Sequence, residues 1–308
     1  MSVTAVPSPK VAGDGPAAQP LKPADYKGIK PIWCPGCGDY GILNAVVQVL
    51  VRNQMDPSRL AIVSGIGCSG RFPAFVRSYG FHSVHGRVLP VATGLKLARP
   101  DLTVIAVGGD GDGLAIGMGH LPHAIRRNVD ITYLLFDNHI YGLTKGQPSP
   151  TTEVGHTTHA SPYGVAEYPL NPLALALVAG ATFVARGFSS HTKHLADVIE
   201  AAIRHRGFSF VQIMTPCVTF YDTYKVWKEQ AWEIGPDHDP SSFEAALRLA
   251  TQAQGLPIGI FYRVEKPTYL DRLLESVKDG QRLKEGRRYD PGDDARRLSA
   301  LLERMAVR

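Results

Sequence analysis

Leu102-Thr-Val-Ile-Ala-Val-Gly-Gly-Asp-Gly-Asp-Gly113 joins a nearly continuous apolar run to a turn built of glycines and aspartates. The run, rich in β-branched side chains, predicts a strand over 102–107 that is buried on both faces. Glycines in the turn let the backbone approach a ligand, and the helix expected next offers unpaired N–H groups to an anion. Alone, such a turn also serves as a plain tight connection. It lacks the usual Gly-x-Gly-x-x-Gly spacing of dinucleotide folds and the Gly-Lys-Ser/Thr of a P-loop. Asp110 and Asp112 beside a phosphorylated ligand would repel it unless a cation intervened. Magnesium suits that place, because it takes a carboxylate or two together with phosphate oxygens. For Asp112 the alternative is a helix cap.

Outward from this stretch, strands and helices alternate. A helix is expected over 41–51 with Asp39 placed to cap it, then a strand over 60–64 that ends in Gly65-Ile-Gly-Cys68. A helix over 88–97 precedes the opening strand, and another is expected to run to about Asn128. The next strand, 131–136, ends at Asp137-Asn138. Beyond a polar loop (142–165) come a helix near 171–179, a strand near 182–184, a helix over 190–206 and a strand over 209–214 that ends at Thr215-Pro-Cys217. This order predicts an α/β fold, a parallel sheet covered by helices on both faces. Each feature singled out lies just past the C-terminal end of a strand, the edge where open parallel sheets bind ligands. Residues distant in sequence should therefore meet there.

The chain divides into a loose arm over 1–30, rich in Pro, Ala and Gly, an α/β domain over 31–235, and a C-terminal extension over 236–308 that packs on the domain or on a partner subunit. No internal repeat is evident. Of the 308 residues 44% are hydrophobic and 20% charged, the balance of a globular protein with a substantial core. No apolar run reaches the eighteen or so residues of a membrane span, so no membrane role is expected. The N-terminus carries neither a secretory signal nor an Arg-rich transit peptide, and the expected location is cytoplasmic. The formal charge of +5 is mild, and the densest basic group (Lys284, Arg287, Arg288) sits near acidic neighbours. Without an aromatic and basic stripe, no nucleic-acid partner is expected.

Trp33-Cys-Pro-Gly-Cys-Gly38 places Cys34 and Cys37 three positions apart, and the chain holds only two more cysteines, Cys68 and Cys217. A Cys-x-x-Cys pair is a zinc half-site, a redox dithiol or an iron–sulfur half-site. Cys68 and Cys217 either act as small buried apolar residues or, since both follow strand ends, converge with the pair on one 4Fe–4S cluster.

Asn138 follows Asp110 by 28 residues, at the end of the next strand, and its amide oxygen would complete a magnesium shell if the two strands are neighbours. Gly-Asp-Gly with an Asn about thirty residues on is the thiamine diphosphate motif. Together with WCPGCG, GIGCSGRFP, HGRVLPVATGLKLARP and DNHIYGLTKGQPSPT, the GGDGDG run resembles the β subunit of 2-oxoacid:ferredoxin oxidoreductases, most closely the 2-oxoglutarate type, over residues 30 to 270.

The resemblance implies a thiamine diphosphate-binding fold, with Asp110, Asn138 and the Ile140 carbonyl on Mg2+. Gly109, Asp110, Gly111 and Asp112 would line the diphosphate with Asn138, Ile140, Tyr141, Gly142 and Leu143. Cys34, Cys37, Cys68 and Cys217 would hold the 4Fe–4S cluster. Asp39, Cys68, Ser69 and His85 would stand against the thiamine. The implied reaction is oxidative decarboxylation of 2-oxoglutarate with coenzyme A to succinyl-CoA and carbon dioxide, with electrons leaving to ferredoxin, and reverse carboxylation open. Lys145 would pair with the distal carboxylate of 2-oxoglutarate; a solvated loop lysine, or one that faces diphosphate, is the alternative. Pyruvate or broad 2-oxoacid specificity, a non-redox thiamine decarboxylase and a zinc-stabilised nucleotide-binding module also stay open. No glutamate has a convincing context for the thiamine aminopyrimidine, and the resemblance puts that residue on an α subunit.

Overall fold

The computed structural model describes residues 19–276 and residue 296. Most of the arm, the end of the C-terminal extension and the Lys284, Arg287 and Arg288 group lie outside the described residues. In chain order the elements are α1 (Asp39–Arg52), β1 (Leu60–Ser64), α2 (Phe72–Phe75), β2 (Tyr79–His82), α3 (Val88–Ala98), β3 (Thr103–Gly109), α4 (Leu121–Arg127), β4 (Thr132–Asp137), β5 (Ile140–Tyr141) and β6 (Gln147–Pro148). Then follow α5 (Pro172–Val178), β7 (Phe183–Phe188), α6 (Thr192–Arg204), β8 (Ser209–Met214), α7 (Tyr224–Gln230), β9 (Ala231–Glu233), α8 (Phe243–Gln252), β10 (Leu256–Arg263) and α9 (Tyr269–Ser276).

Eight strands form one sheet in the order β2-β1-β3-β4-β8-β7-β10-β9, and β5 and β6 make a separate small hairpin. Every neighbouring pair in the large sheet is parallel except β7 with β10, which run antiparallel. The sheet is thus mostly parallel and covered on both faces, as the alternation of elements predicts. Alternate residues of each strand point to opposite faces. From β4, Leu134 and Phe136 pack with α1 and α6 through Val46, Val49, Leu195 and Ile199. Tyr133 and Leu135 turn the other way and join α3, α4 and α5 through Leu89, Ile125 and Leu173. Burying each such side chain contributes roughly 1.5–3 kcal/mol, so the two layers fix the plane of the sheet firmly.

Three local expectations change. The helix expected from the Gly/Asp turn to Asn128 is broken: Asp112–Ile116 forms one wide turn, and a regular helix starts only at Leu121. Pro122 explains the break, because it has no N–H and its ring clashes with the carbonyl four residues back. Asp39 is not a cap. Helix α1 begins at Asp39 itself with Gly38 before it, so the carboxylate sits inside the first turn and is used elsewhere. Residues 23–29, read as loose arm, pack on the domain. Tyr26 is fully buried, and its hydroxyl donates to the carbonyls of Leu50 (3.0 Å) and Met55 (2.7 Å).

Candidate active site

The sheet order places β1, β3, β4 and β8 side by side, so their C-terminal loops meet at one edge. Between them lies a cavity of about 560 Å3 lined by Cys68, Ser69, His85, Gly109, Asp110, Gly111, Asp112, Asn138, Ile140, Tyr141, Gly142 and Leu143, with Ile66, Gly67, Phe136, Thr144 and Gln147. Its size suits a cofactor-sized ligand. Asp39 and Lys145, also expected at the site, do not line it.

The two glycine turns fit closely around neighbouring side chains. A Cβ on Gly111 would fall 2.2 Å from the Tyr141 ring, whose hydroxyl donates to the Gly111 carbonyl at 3.0 Å. Tyr141 thereby holds the 138–143 loop against the Gly/Asp turn. Asn138 Oδ1 accepts from the Ile140 amide at 3.1 Å, and the residue between them, His139, has φ +59°. A side chain rarely adopts that left-handed backbone unless its surroundings hold it there. Here the Thr152 hydroxyl donates to the His139 carbonyl at 2.6 Å.

Asp110 is buried, and both hydrogen bonds it accepts fall on Oδ2, from Ser149 Oγ (2.6 Å) and Thr151 Oγ1 (2.8 Å). Thr151 Oγ1 also lies 2.8 Å from Asp137 Oδ1, whose other oxygen accepts from Gln212 Nε2 at 2.7 Å. Burial, then the Asp137 charge, raise the Asp110 pKa above the ordinary carboxylate range against the two hydroxyl bonds. Two buried acidic side chains share one hydroxyl donor, and one of them is on the cavity wall. That is the setting a divalent cation relieves.

Asp112 lines the cavity but braces it. Its Oδ1 accepts from the Ile66 amide (2.9 Å), the Gly86 amide (2.7 Å) and His85 Nδ1 (2.9 Å), which joins the loops after β1 and before α3. The brace takes the place of the helix-cap alternative for Asp112, and both Asp112 and His85 remain on the cavity wall. Among the described residues the buried Asp112 Oδ2 has no hydrogen-bond partner.

The cysteine segments are tied together by their backbones. Trp33 Nε1 donates to the Cys68 carbonyl at 2.8 Å, and the Gly38 amide donates to the Pro216 carbonyl at 3.1 Å. A Cβ on Gly142 would stand 3.4 Å from Cys217 Sγ and 3.7 Å from Cys68 Sγ, so two thiols face the 138–143 loop. Burial first, then Asp39, push the Cys37 thiol well above its ordinary range; burial, then Asp39 and Cys217, push Cys68 up to about 12. Only Cys34 is exposed. Among the described residues no three His, Cys, Asp or Glu side chains stand close enough to hold a single metal ion. Asp39 lies beneath this group, buried, and accepts from Thr215 Oγ1 at 3.0 Å; burial raises it to about 6. Lys145 is exposed with φ +77°, beside Thr144 and Gln147 of the cavity wall.

Sequence reading missed Ser149, Thr151 and Gln212, which position the two aspartates, and Glu153, which bonds His139 and Tyr221. The hydroxyl-rich Ser-Pro-Thr-Thr152 run was the one signal for Ser149 and Thr151, since a buried carboxylate needs donors.

Fold and cavity together define a thiamine diphosphate-binding α/β domain. Residues 65–213 match the family described as thiamine pyrophosphate enzyme, C-terminal TPP binding domain, and residues 217–278 match the family that describes the C-terminal part of the pyruvate ferredoxin oxidoreductase beta subunit. The 2-oxoacid:ferredoxin oxidoreductase subunit beta of Saccharolobus solfataricus is 43% identical over 260 residues, 79% of this chain and 85% of that one. The 2-oxoglutarate oxidoreductase subunit KorB of Mycobacterium tuberculosis is 50% identical over 214 residues, 69% of this chain and 57% of that one. A solved structure, 2-oxoglutarate:ferredoxin oxidoreductase from Magnetococcus marinus with 2-oxoglutarate, coenzyme A and succinyl-CoA bound, matches with a TM-score of 0.83 at 43% identity, and covers 92% of this chain and 97% of that chain. The chain belongs to the family of 2-oxoacid:ferredoxin oxidoreductase β subunits.

Proposed function

We propose that the chain serves a 2-oxoglutarate:ferredoxin oxidoreductase, with Mg2+, thiamine diphosphate and one 4Fe–4S cluster at the edge described above. One observation carries this reading: Cys68 and Cys217 face Gly142, in the same loop as Asn138 and Ile140. A sulfur set and an oxygen set therefore share one cavity edge, as a redox enzyme requires and a simple decarboxylase does not. Asp110, Asn138 and the Ile140 carbonyl offer the hard oxygen donors that Mg2+ prefers. Cys34, Cys37, Cys68 and Cys217 offer thiolates, the ligand set that a 4Fe–4S cluster takes. Bound there, the thiamine supplies an electron sink for decarboxylation and the cluster a one-electron acceptor.

This chain's residues then orient and insulate. Tyr141 and Asp112 hold the two glycine turns at fixed distance, and Thr151 fixes the Asp110 carboxylate. Cys34, the exposed thiol, would put a bound cluster nearest the surface that a ferredoxin could approach; exposed Lys27 and Lys30 precede it, and no acidic residue lies between Lys27 and Cys37. Coenzyme A and 2-oxoglutarate are the substrates, an α subunit supplies the aminopyrimidine glutamate, and the enzyme works in the cytoplasm. Among the described residues no helix is long and apolar enough to cross a membrane.

A broader 2-oxoacid specificity is the second reading, favoured by the exposure of Lys145 and its place off the cavity wall. The test is elemental analysis of the α/β complex purified without oxygen, with 2-oxoacid-dependent ferredoxin reduction on the same sample. About four irons and four sulfides per β chain, with thiamine bound, are expected. Zinc, or thiamine without iron, would overturn the redox reading.

A further inference from the structure

We propose that Glu153 is a positioning residue that couples the magnesium loop to the loop of Cys217. Its Oε1 accepts from His139 Nδ1 at 2.8 Å, and its Oε2 accepts from the Tyr221 hydroxyl at 2.7 Å. Each partner belongs to one ligand loop. His139 stands between Asn138 and Ile140 and carries the strained backbone that turns both toward the cavity. Tyr221 closes the turn that begins at Cys217, its amide donating to the Cys217 carbonyl at 2.9 Å.

Two further contacts join the same segments. His156 stacks on the Tyr221 ring with centroids 3.9 Å apart and planes at 21°, and its amide donates to the Glu153 carbonyl at 3.2 Å. The His139 ring meets the buried Trp227 edge-on at 5.0 Å, in the helix just after the Cys217 turn. The 149–156 segment is thus a strut. Its Ser149 and Thr151 hold Asp110, its Thr152 holds the His139 carbonyl, and its Glu153 reaches across to Tyr221.

A carboxylate that accepts from both loops has no mobile third partner among the described residues, so displacement of either loop strains the other. Occupancy of one site should then tighten the other, and the effect must be reciprocal. This inference rests on the proposed assignment of the magnesium and cluster ligands.

The experiment uses the α/β complex purified anaerobically, with thiamine diphosphate titrated at fixed Mg2+ by tryptophan fluorescence and the cluster followed by its visible and EPR spectra. Tyr221→Phe removes one oxygen atom on the cluster side and nothing on the magnesium side. It should weaken thiamine diphosphate binding about threefold to tenfold. Glu153→Gln and Glu153→Ala should weaken it tenfold or more, and should abolish any change that cofactor binding makes in the cluster spectrum. Tyr221→Phe combined with Glu153→Ala should bind no worse than Glu153→Ala alone. Binding by Tyr221→Phe within a factor of two of the parent, or additive losses in the double variant, would overturn the coupling while a parent complex that holds iron and thiamine keeps the functional reading intact. A parent complex without a cluster would remove both.

Discussion

Thr151→Val is the sharpest probe of how the aspartates are held. The substitution keeps size and branching but removes a hydroxyl that lies 2.8 Å from both Asp110 Oδ2 and Asp137 Oδ1. The residue is buried, so water cannot replace the lost donor cheaply. A hydrogen bond to a charged group contributes roughly 1.5–3 kcal/mol, and the middle of that range is about 2 kcal/mol. The two carboxylate oxygens sit at most twice 2.8 Å apart, so at an effective dielectric of about 20 their repulsion is at least about 3 kcal/mol if both are ionised. Mg2+ held by Asp110, as proposed, would relieve that repulsion, so the penalty should be larger without the cation than with it. Urea unfolding of the complex, with and without Mg2+ and thiamine diphosphate, measures both. With a slope near 3 kcal/mol per molar, the cofactor-free midpoint should fall by about 0.7 M. Thr151→Ser keeps the hydroxyl and loses one methyl, about 0.8 kcal/mol, so it should fall by less than half as much. Equal losses for Val and Ser would place the contribution of Thr151 in packing and refute the electrostatic account. A Val penalty that ignores the cation would detach the aspartate pair from metal binding.

Lys145→Gly should raise the 2-oxoglutarate KM about tenfold or more and leave the pyruvate KM nearly unchanged, since only the first substrate has a distal carboxylate to lose; matched increases would assign Lys145 to another task. The chain purified without its α subunit should show no 2-oxoacid oxidation even when reconstituted with thiamine diphosphate and iron, and measurable turnover would mean that the aminopyrimidine partner lies on this chain. Burial raises the Glu153 carboxyl, but the His139 hydrogen bond and charge and the Tyr221 hydroxyl outweigh it, and the pKa falls from 4.5 to about 2. A depressed folded value stabilises fully above 4.5 and is lost as pH falls toward about 2. Its side chain is 45% exposed, so solvent screens the effect. Acid unfolding of the parent and Glu153→Gln should therefore differ modestly near neutrality and converge across that window; curves that stay parallel would put the stabilisation elsewhere.

The parts legible in the sequence were those that one strand or one turn determines. A run such as Leu134 to Phe136 is apolar at every position because both faces of the sheet are covered, and that pattern reveals a strand and its exit without reference to the rest of the chain. Gly109 to Asp112, Asn138 and Cys68 could be placed at one edge for that reason. The roles of Asp39 and Asp112 were not legible, because a carboxylate near a helix start looks like a cap until its real donors are known. Those donors, Thr215 for Asp39 and the Gly86 and Ile66 amides for Asp112, lie 176, 26 and 46 positions away. Ser149, Thr151 and Glu153 were hidden in a loop with no periodicity. Hydrogen bonds made by such a loop depend on where the sheet carries its partners, and nothing local records that.

The strand order explains why the loop had to be recruited at all. Cys68 follows β1 and Cys217 follows β8, and between those strands lie β3 and β4, which carry Asp110 and Asn138. At about 4.8 Å per strand, the ends of β1 and β8 are roughly 14 Å apart, too far for two thiols to meet without help. The Trp33–Gly38 segment draws them inward by bonding the Cys68 carbonyl on one side and the Pro216 carbonyl on the other. Gly142 of the 138–143 loop then fits against both sulfurs, where a Cβ would stand 3.4 Å from Cys217 Sγ and 3.7 Å from Cys68 Sγ. Left alone, His139 at φ +59° would relax out of that conformation. Thr152 and Glu153 hold it from outside the sheet, and Tyr221 anchors Glu153 to the sulfur side. A parallel sheet can bring four loops to one edge, but it takes a segment from outside the sheet to bond the His139 turn to the Cys217 loop.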